Sequence, residues 1–265
     1  MLFKTARTCY SRHTTVGQLA RMCLLGVSLT AAAGVHAQTI TAGSPPSSAP
    51  TTFLDTKTGK ISGFMPDIAA EIARRQKLDL EFGAVPFSTL IQSVVSGKID
   101  MIVAGMTPTA KRAEVIDFSQ PVTSFGEGIF IRDDNTHVYR SAQDFKGQTI
   151  GAMSGTDYSA QISKMNIAKE IKYYDNPGDL ARDVSLKRVD LGMSDYPILK
   201  GQEASGAMKG MHVVDDYQPV NLHDVAFGVR KGNTELLAKI DAALTEMKAD
   251  GTTEAILKKW GMGKK

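Results

Sequence analysis

Cysteine is almost absent from this 265-residue sequence, and its two copies, Cys9 and Cys23, both lie near the N-terminus. The rest of the chain therefore offers no disulfide and no cysteine-based metal site. Histidine is also scarce. After the N-terminal segment the chain has only His137, His212 and His223, which are far apart in the sequence. None of the three has an acidic or histidine neighbour at metal-ligand spacing, so we expect surface or helix-capping histidines and no metal ion.

Several motifs of common enzyme classes are missing too. The sequence contains no Walker loop, no G-x-G-x-x-G, no G-x-S-x-G and no H-E-x-x-H. Each of these patterns supports a particular chemistry: phosphate binding, dinucleotide binding, nucleophilic hydrolysis and zinc-dependent hydrolysis. Their absence gives no reason to propose those activities, and we expect no cofactor.

Acidic residues are missing from the first 37 positions, which carry four basic residues and then an apolar run over residues 22–35. This order, followed by small residues, is typical of a secretory signal peptide, and it predicts cleavage between Ala37 and Gln38. The apolar run is too short to span a bilayer. The residues before Cys23 do not fit a lipoprotein site, so we expect a soluble periplasmic protein, not a lipid-anchored one.

Removing this leader changes the charge balance of the chain. The four lost positive charges leave 27 Lys and Arg against 28 Asp and Glu, a net charge of −1. Such a surface gives no electrostatic reason to expect nucleic acid or an anionic membrane as a partner. The remaining 228 residues suffice for one large domain or two modest ones.

Strand-like runs alternate with segments of helical period along the chain, which is typical of an α/β protein with a mainly parallel sheet. The predicted strands cover residues 78–82, 99–104, 149–153, 191–194 and 225–229. The predicted helices begin at Ser88, Pro177 and Asn233, and a final helix after Gly251 carries Trp260. Ser141 and Asp144 have the spacing of a capping box, which predicts a helical turn there.

Five sequence blocks resemble one known family. In order they are GKISGFMPDIAAEIA (59–73), SGKIDMIVAGMTPTAKRAEVIDFSQP (96–121), DFKGQTIGAMSGTD (144–157), VDLGMSD (189–195) and AFGVRKGNTEL (226–236). Together they resemble the polar amino-acid-binding proteins of bacterial ABC importers, solute-binding family 3. The second block is the most specific, and the resemblance covers essentially the whole chain after the leader.

The resemblance implies an α/β, two-lobed periplasmic-binding-protein fold of type II, in which each lobe has a mainly parallel sheet flanked by helices. Two extended crossovers would join the lobes, and a ligand would bind in the cleft between them. Carried onto this chain, the first lobe covers 38–126 and the return segment 222–265, and the second lobe covers 127–221. Closure of the lobes around a ligand would then change the shape that a membrane partner meets.

The resemblance also implies roles for individual residues. Arg112 matches the arginine that grips a ligand α-carboxylate, a task that suits the two parallel N–H groups of a guanidinium. Gly105 and Thr107 match positions that offer a backbone carbonyl and a hydroxyl to the ligand, although Gly105 could instead serve an ordinary turn. Asp195 matches the carboxylate that receives the ligand ammonium, and an N-cap is its competing interpretation.

Two further positions complete the predicted binding site. Ser154 to Asp157, including Thr156, should form a turn at a helix N-terminus, whose free N–H groups attract an anion. Phe87 matches an aromatic residue that stacks over the ligand side chain, and a plain core residue is the equal alternative.

The chain also departs from the family pattern. Pro45, Ser48 and Thr51 stand where an Asp, an aromatic residue and a Phe are expected, which disfavours a Lys, Arg or His ligand. Asp157 stands where a Thr or Ser usually lies beside the ligand carboxylate. It would repel an anion unless it capped its own helix, or it could face a cationic group of the ligand.

These residues support two classes of function. The first is capture of a small zwitterionic solute by a monomer that delivers it to an inner-membrane ABC permease with its ATPase. The second is a periplasmic enzyme on the same scaffold, resembling cyclohexadienyl dehydratase, with Asp157, Asp195 or Glu127 as general acid. A strongly raised pKa on one cleft carboxyl would favour the enzyme. A sensor domain of a larger receptor is disfavoured because no membrane segment follows the last helix.

Overall fold

A computed structural model describes residues 38–262 and shows an α/β fold with two main sheets. The predicted signal peptide lies outside the described residues. Among residues 38–262, no helix is long and apolar enough to cross a membrane.

The strands, in chain order, are β1 (Thr39–Ser44), β2 (Ser47–Ser48), β3 (Thr52–Asp55), β4 (Lys60–Ser62), β5 (Asp79–Ala84), β6 (Met101–Ile102), β7 (Ile116–Phe118), β8 (Thr123–Arg132), β9 (Thr149–Met153), β10 (Glu170–Tyr174), β11 (Leu191–Asp195), β12 (Met211–Val213), β13 (Leu222–Val225) and β14 (Gly228–Arg230). The helices are α1 (Phe64–Gln76), α2 (Leu90–Val95), α3 (Ala110–Ala113), α4 (Asp157–Met165), α5 (Pro177–Ser185), α6 (Tyr196–Ala204), α7 (Thr234–Ala249) and α8 (Thr252–Lys259). Short 3-10 turns cover Phe87–Thr89 and Ala142–Phe145.

The first sheet has the strand order β5-β1-β6-β14-β7 and forms the first lobe. Its strands run parallel except β14, which pairs antiparallel with both β6 and β7. A small antiparallel sheet, β2-β3-β4, follows β1 in the chain. The parallel strands β1, β5 and β6 are joined through helices, as crossover connections require.

The second sheet has the order β10-β9-β11-β8-β12 and forms the second lobe. Here β8 is the antiparallel strand, and it pairs with both β11 and β12. The prediction of mainly parallel sheets in an α/β fold is confirmed, with one antiparallel strand in each sheet. In both lobes this strand belongs to a segment that enters from the other lobe.

Two strand segments connect the lobes. The first four residues of β8 pair antiparallel with β13, whereas its later residues pair with β11 and β12. The prediction of one strand over 225–229 is wrong, because the segment divides into β13 and β14, which belong to different pairings. The break lies at Ala226 and Phe227, whose N–H groups donate to the Met106 carbonyl and the Ser119 hydroxyl.

Each lobe has its own apolar interior. In the first lobe, helices α1, α7 and α8 pack together with residues of β1 and β6, so the C-terminal helices return to the lobe that contains the start of the described chain. In the second lobe, the main cluster joins β8, β9 and β11 to Tyr139, Phe145 and Tyr217. Burial of these side chains stabilises each lobe around its own sheet.

The local predictions are largely confirmed. Ser141 and Asp144 form both hydrogen bonds of a capping box, and the Asn233 side chain accepts from the Leu236 N–H at the start of α7. The segment from Ser88 is a 3-10 turn that continues into α2, and Gly97 follows it in a left-handed conformation with φ +77°. Trp260 lies directly after α8, with its ring centroid 5.8 Å from that of Phe53.

Candidate functional site

The seven residues predicted to bind a ligand line one small, nearly closed cavity between the two lobes. Residues from both lobes contribute, because each sheet places loops and helix starts at the facing edges. The complete lining is Phe87, Gly105, Thr107, Arg112, Phe125, Thr156, Asp157, Tyr158, Asp195 and His223. The structure thus brings the predicted residues together, and their roles in binding stay predictions.

Arg112 connects the two sides of this cavity. It lies in α3, whose N-cap is Thr109, and the Thr109 hydroxyl accepts from the Arg112 N–H at 3.2 Å. The guanidinium donates to the Thr107 carbonyl at 2.7 Å and to the Gly155 carbonyl of the second lobe at 2.8 Å. A guanidinium has five N–H donors, so these two bonds leave others for a ligand.

The surroundings of the Arg112 guanidinium affect its charge and its position. Burial lowers the pKa of Arg112, and the carboxylates of Asp157 and Asp195 oppose that effect. The guanidinium carbon lies 5.8 Å from the centroid of the Phe87 ring, a distance at which a cation and an aromatic face attract each other. Phe87 also packs against the core cluster that includes α2, as the core-residue interpretation expected, and stacking over a ligand stays a prediction.

Gly105 permits a close approach of the lobes. A Cβ atom at this position would lie 3.2 Å from Asp195 Oδ2 and 3.5 Å from the Phe125 ring. Any side chain would therefore fill the space beside the Asp195 carboxylate. Thr51, one of the departing residues, lies at the same place, with its Cγ2 3.6 Å from that Cβ position.

Asp195 lies at the end of β11, where the chain enters α6. Asp195 is the N-cap residue of α6, as the competing interpretation expected, but its carboxylate makes no capping hydrogen bond. The strand register places it directly opposite Glu127 of β8. Burial, with the nearby Glu127 carboxylate, raises the pKa of Asp195 to about 7, and Arg112 opposes the shift.

Asp157 does not cap its own helix, because Thr156 occupies the N-cap of α4. The Thr156 hydroxyl accepts from the Ser159 N–H at 3.4 Å and donates to the Met153 carbonyl at 2.9 Å. Asp157 Oδ2 instead accepts from Gln161 Nε2 at 2.5 Å and lies 3.5 Å from His223 Nδ1. The carboxylate is therefore held at the cavity wall.

Sequence reasoning missed three lining residues: Phe125, Tyr158 and His223. For His223 the expected surface or capping position is wrong, because only 10 % of its side chain is exposed. Phe125 and His223 are direct partners across β8 and β13. In the structure His223 and Val225 lie on the more buried face of β13, and the sequence did not indicate this because apolar Leu222 lies on the exposed face.

His137 and His212 are exposed, as predicted. Within the described range, 38–262, no group of three or more His, Asp or Glu side chains is arranged to hold a metal ion. The cavity offers instead one guanidinium, one imidazole, carboxylates and aromatic walls. Such a set binds a small polar molecule by charge and hydrogen bonds.

Comparison with known proteins agrees with this architecture. The family model of bacterial extracellular solute-binding proteins, family 3, matches residues 40–263. The L-cystine-binding protein TcyJ of Escherichia coli K12 is 25 % identical over 206 residues, which cover 76 % of this chain and 75 % of that protein.

Two solved structures are similar over most of the chain. An ancestral arginine-binding protein bound to glutamine shares 32 % identity with a TM-score of 0.79, covering 86 % of this chain and 99 % of that one. The ancestral amino-acid-binding protein AncCDT-1, a precursor of cyclohexadienyl dehydratase, shares 28 % identity with a TM-score of 0.75, covering 84 % and 95 %. Both support a two-lobed fold of the type II periplasmic binding proteins.

Proposed function

Because the chain belongs to the bacterial extracellular solute-binding proteins of family 3, we propose that it captures a small zwitterionic solute, an amino acid or a derivative. The observation that carries this proposal is that the Arg112 guanidinium and the Asp195 carboxylate line the same small cavity. A cation and an anion that line one cavity match the two charges of an α-amino acid.

In the proposed complex, Arg112 binds the ligand carboxylate, with help from the Thr107 hydroxyl and the N-terminus of α4 at Thr156. Asp195 and the Gly105 carbonyl receive the ammonium. Pairing with an ammonium favours the ionised carboxylate and therefore lowers the pKa of Asp195 from its ligand-free value. Phe87 lies beside the guanidinium and provides an aromatic surface for the ligand.

We further propose that binding takes place in the periplasm, after cleavage near Ala37, and that a monomer delivers the solute to an ABC permease. The proposed lobes are 38–126 with 222–265, and 127–221. The pairing of β8 with β13 supplies two adjacent strands about which the lobes could turn. A ligand that contacts both lobes stabilises the closed form, because it binds that form more tightly than the open one.

The test is a thermal-shift screen of residues 38–265 against amino acids and derivatives. A ligand that binds only the folded protein raises the melting temperature, by an amount that grows with its concentration. Arg112→Ala should abolish the shift, whereas Lys111→Ala, an exposed neighbour on the same helix, should retain it. An undiminished shift in Arg112→Ala would refute the carboxylate assignment.

A second candidate function is a periplasmic lyase in which Asp195 acts as general acid. The pKa of about 7 at Asp195 favours it, because a carboxyl that keeps its proton near neutral pH can donate it to a leaving group. The test is incubation with cyclohexadienyl substrates, followed by chromatography of the product. Turnover that is lost in Asp195→Asn would establish the enzyme, and absence of turnover by the folded protein would exclude this reaction.

A further inference from the structure

One end of the cavity is formed by a histidine between two carboxylates. His223 Nδ1 lies 3.5 Å from Asp157 Oδ2, and His223 Nε2 lies 3.9 Å from Glu127 Oε2. Glu127 is fully buried at its side chain, and its Oε1 accepts from the Tyr217 hydroxyl and the Val220 N–H. Glu127 belongs to β8 and His223 to β13, so this end of the cavity is formed by the segments that connect the lobes.

The two atoms that face each other on the buried side have no hydrogen bond. Among the described residues, Glu127 Oε2 and His223 Nε2 are both buried without a partner within hydrogen-bond distance. A buried carboxylate in this state favours a nearby cation or donor. The imidazole therefore faces a carboxylate on each side, and its position depends on both.

Asp157 is held from a second direction as well. Its Oδ2 accepts from Gln161, whose own Oε1 accepts from Asn221 at 2.7 Å. Within residues 38–262, no hydrogen bond uses Asp157 Oδ1, and 22 % of the side chain is exposed. Asp157 lines the cavity, and one of its two oxygens thus has no hydrogen bond within residues 38–262.

Acidic groups outnumber basic groups around the cavity. Three carboxyl groups, Glu127, Asp157 and Asp195, lie in or directly beside it, together with one guanidinium and one imidazole. A ligand that brought a second carboxylate would add a further negative charge to this set. At separations of a few ångströms in a site that excludes water, like charges repel strongly.

We propose that Asp157, positioned by His223 and Gln161, selects amino acids whose side chain donates a hydrogen bond and rejects those whose side chain is a carboxylate. The inference rests on the proposed function and names its ligand class: side chains that donate from an amide, a hydroxyl or a cation, the last against the expectation drawn from Pro45, Ser48 and Thr51. Asp157 contacts the ligand side chain in this proposal. His223 acts through Asp157 and is a positioning residue.

The experiment measures dissociation constants by calorimetry for near-isosteric sets of ligands: glutamine, glutamate and methionine; asparagine, aspartate and leucine; threonine and valine; lysine and norleucine. In the set that contains the tightest ligand, the member whose side chain donates a hydrogen bond should bind at least about tenfold more tightly than the apolar and acidic members. The reason is that those members would leave the Asp157 carboxylate without a hydrogen bond, which is costly in a buried site. An apolar or acidic ligand that binds as tightly as the donor in that set overturns the inference.

Variants identify the residue responsible. Asp157→Asn should reduce the preference for the donor ligand over its acidic counterpart to less than about threefold, since an amide can also donate to an acidic ligand. Asp179→Asn is the matched control, because it removes a first-turn acid from another helix of the second lobe and should leave the preference unchanged. His223→Gln, which can still donate to Asp157, should preserve more of the preference than His223→Leu.

The outcomes separate the inference from the proposed function. If no amino acid binds the folded protein, the proposed function fails and this inference fails with it. If amino acids bind but Asp157→Asn leaves the ligand preference unchanged, the solute-binding function stands and the selectivity assigned to Asp157 is wrong.

Discussion

Asp195 and Glu127 are an unusual pair at the level of single residues. The register of β8 and β11 places the two carboxyl groups directly opposite each other, close to the cavity. Like charges in directly opposed strand positions destabilise a sheet. The fold tolerates the pair because Asp195 keeps a proton up to near neutral pH, and a bound ammonium would offset the repulsion when that proton leaves.

This pair predicts a pH dependence of stability. The pKa of Asp195 rises from 3.8 to about 7 in the folded protein, so its contribution is fully present below pH 4 and is lost as the pH rises to 7. Relative to Asp195→Asn, which cannot ionise, the wild type should lose up to about 4 kcal/mol of unfolding free energy across this interval. Urea denaturation of the ligand-free proteins between pH 4 and 8 measures the difference.

The control for this measurement is Asp179→Asn, because the Asp179 side chain is exposed on α5. The stability of this variant should follow that of the wild type across the pH range. Parallel profiles for the wild type and Asp195→Asn would show that Asp195 ionises normally in the folded protein. In that case the general-acid candidate would lose its support too.

At the level of elements, the C-terminal helices join the first lobe. Leu244 of α7 is fully buried among residues of α1 and of the first sheet, including Phe64 and Met65. Helix α7 has its N-cap at Asn233, and Gly251, with φ +79°, makes the turn into α8. The first lobe therefore depends on two chain segments that are separated by the whole second lobe.

Truncation in this interface should weaken the whole first lobe. Leu244→Ala should lower the free energy of unfolding by about 2–5 kcal/mol, because it removes buried methyl groups and leaves a cavity. Val95→Ala, in the first lobe at a position that is 44 % exposed, should change it by less than about 0.5 kcal/mol. Urea denaturation followed by fluorescence of the single tryptophan, Trp260, which packs against Phe53, reports on this lobe. Equal stabilities of the two variants would contradict the packing of α7.

At the level of the whole molecule, the lobes approach each other closely at several places. Arg112 donates to the Gly155 carbonyl, Gly155 approaches Ser88, and Gly201 of α6 lies against Pro50 of the first lobe. A Cβ atom at Gly201 would come within 3.0 Å of Pro50 Cδ. Glycine there allows α6 to approach the first lobe.

A large side chain at Gly201 should therefore hold the lobes apart. Gly201→Trp is expected to weaken ligand binding by at least about tenfold, since closure would carry a steric cost of 1.4 kcal/mol or more. Its ligand-free melting temperature should stay within about 2 °C of the wild type, as for other surface changes. Ala204→Trp, exposed on the same helix, is the matched control.

Small-angle X-ray scattering completes this test. With saturating ligand, the radius of gyration should fall for the wild type and for Ala204→Trp, and it should stay at the ligand-free value for Gly201→Trp. Normal affinity and normal compaction in Gly201→Trp would show that the contact between α6 and Pro50 plays no part in closure.

The features that the sequence determined by itself are those encoded by neighbouring residues. The capping box of Ser141 and Asp144, the Asn233 cap and the strand over 149–153 each depend on contacts within a few positions, so composition and spacing suffice to find them. The resemblance of contiguous blocks likewise located Arg112 and Asp195.

Only the tertiary structure decided which distant residues share the cavity. Phe125 and His223 meet because β8 and β13 pair across the connection between the lobes, a partnership between positions almost one hundred residues apart. The run 225–229 failed as a single strand because an apolar pattern does not specify which sheet each residue joins. Pairing between distant strands is set by the packing of the whole chain, and that packing placed His223 between two carboxylates.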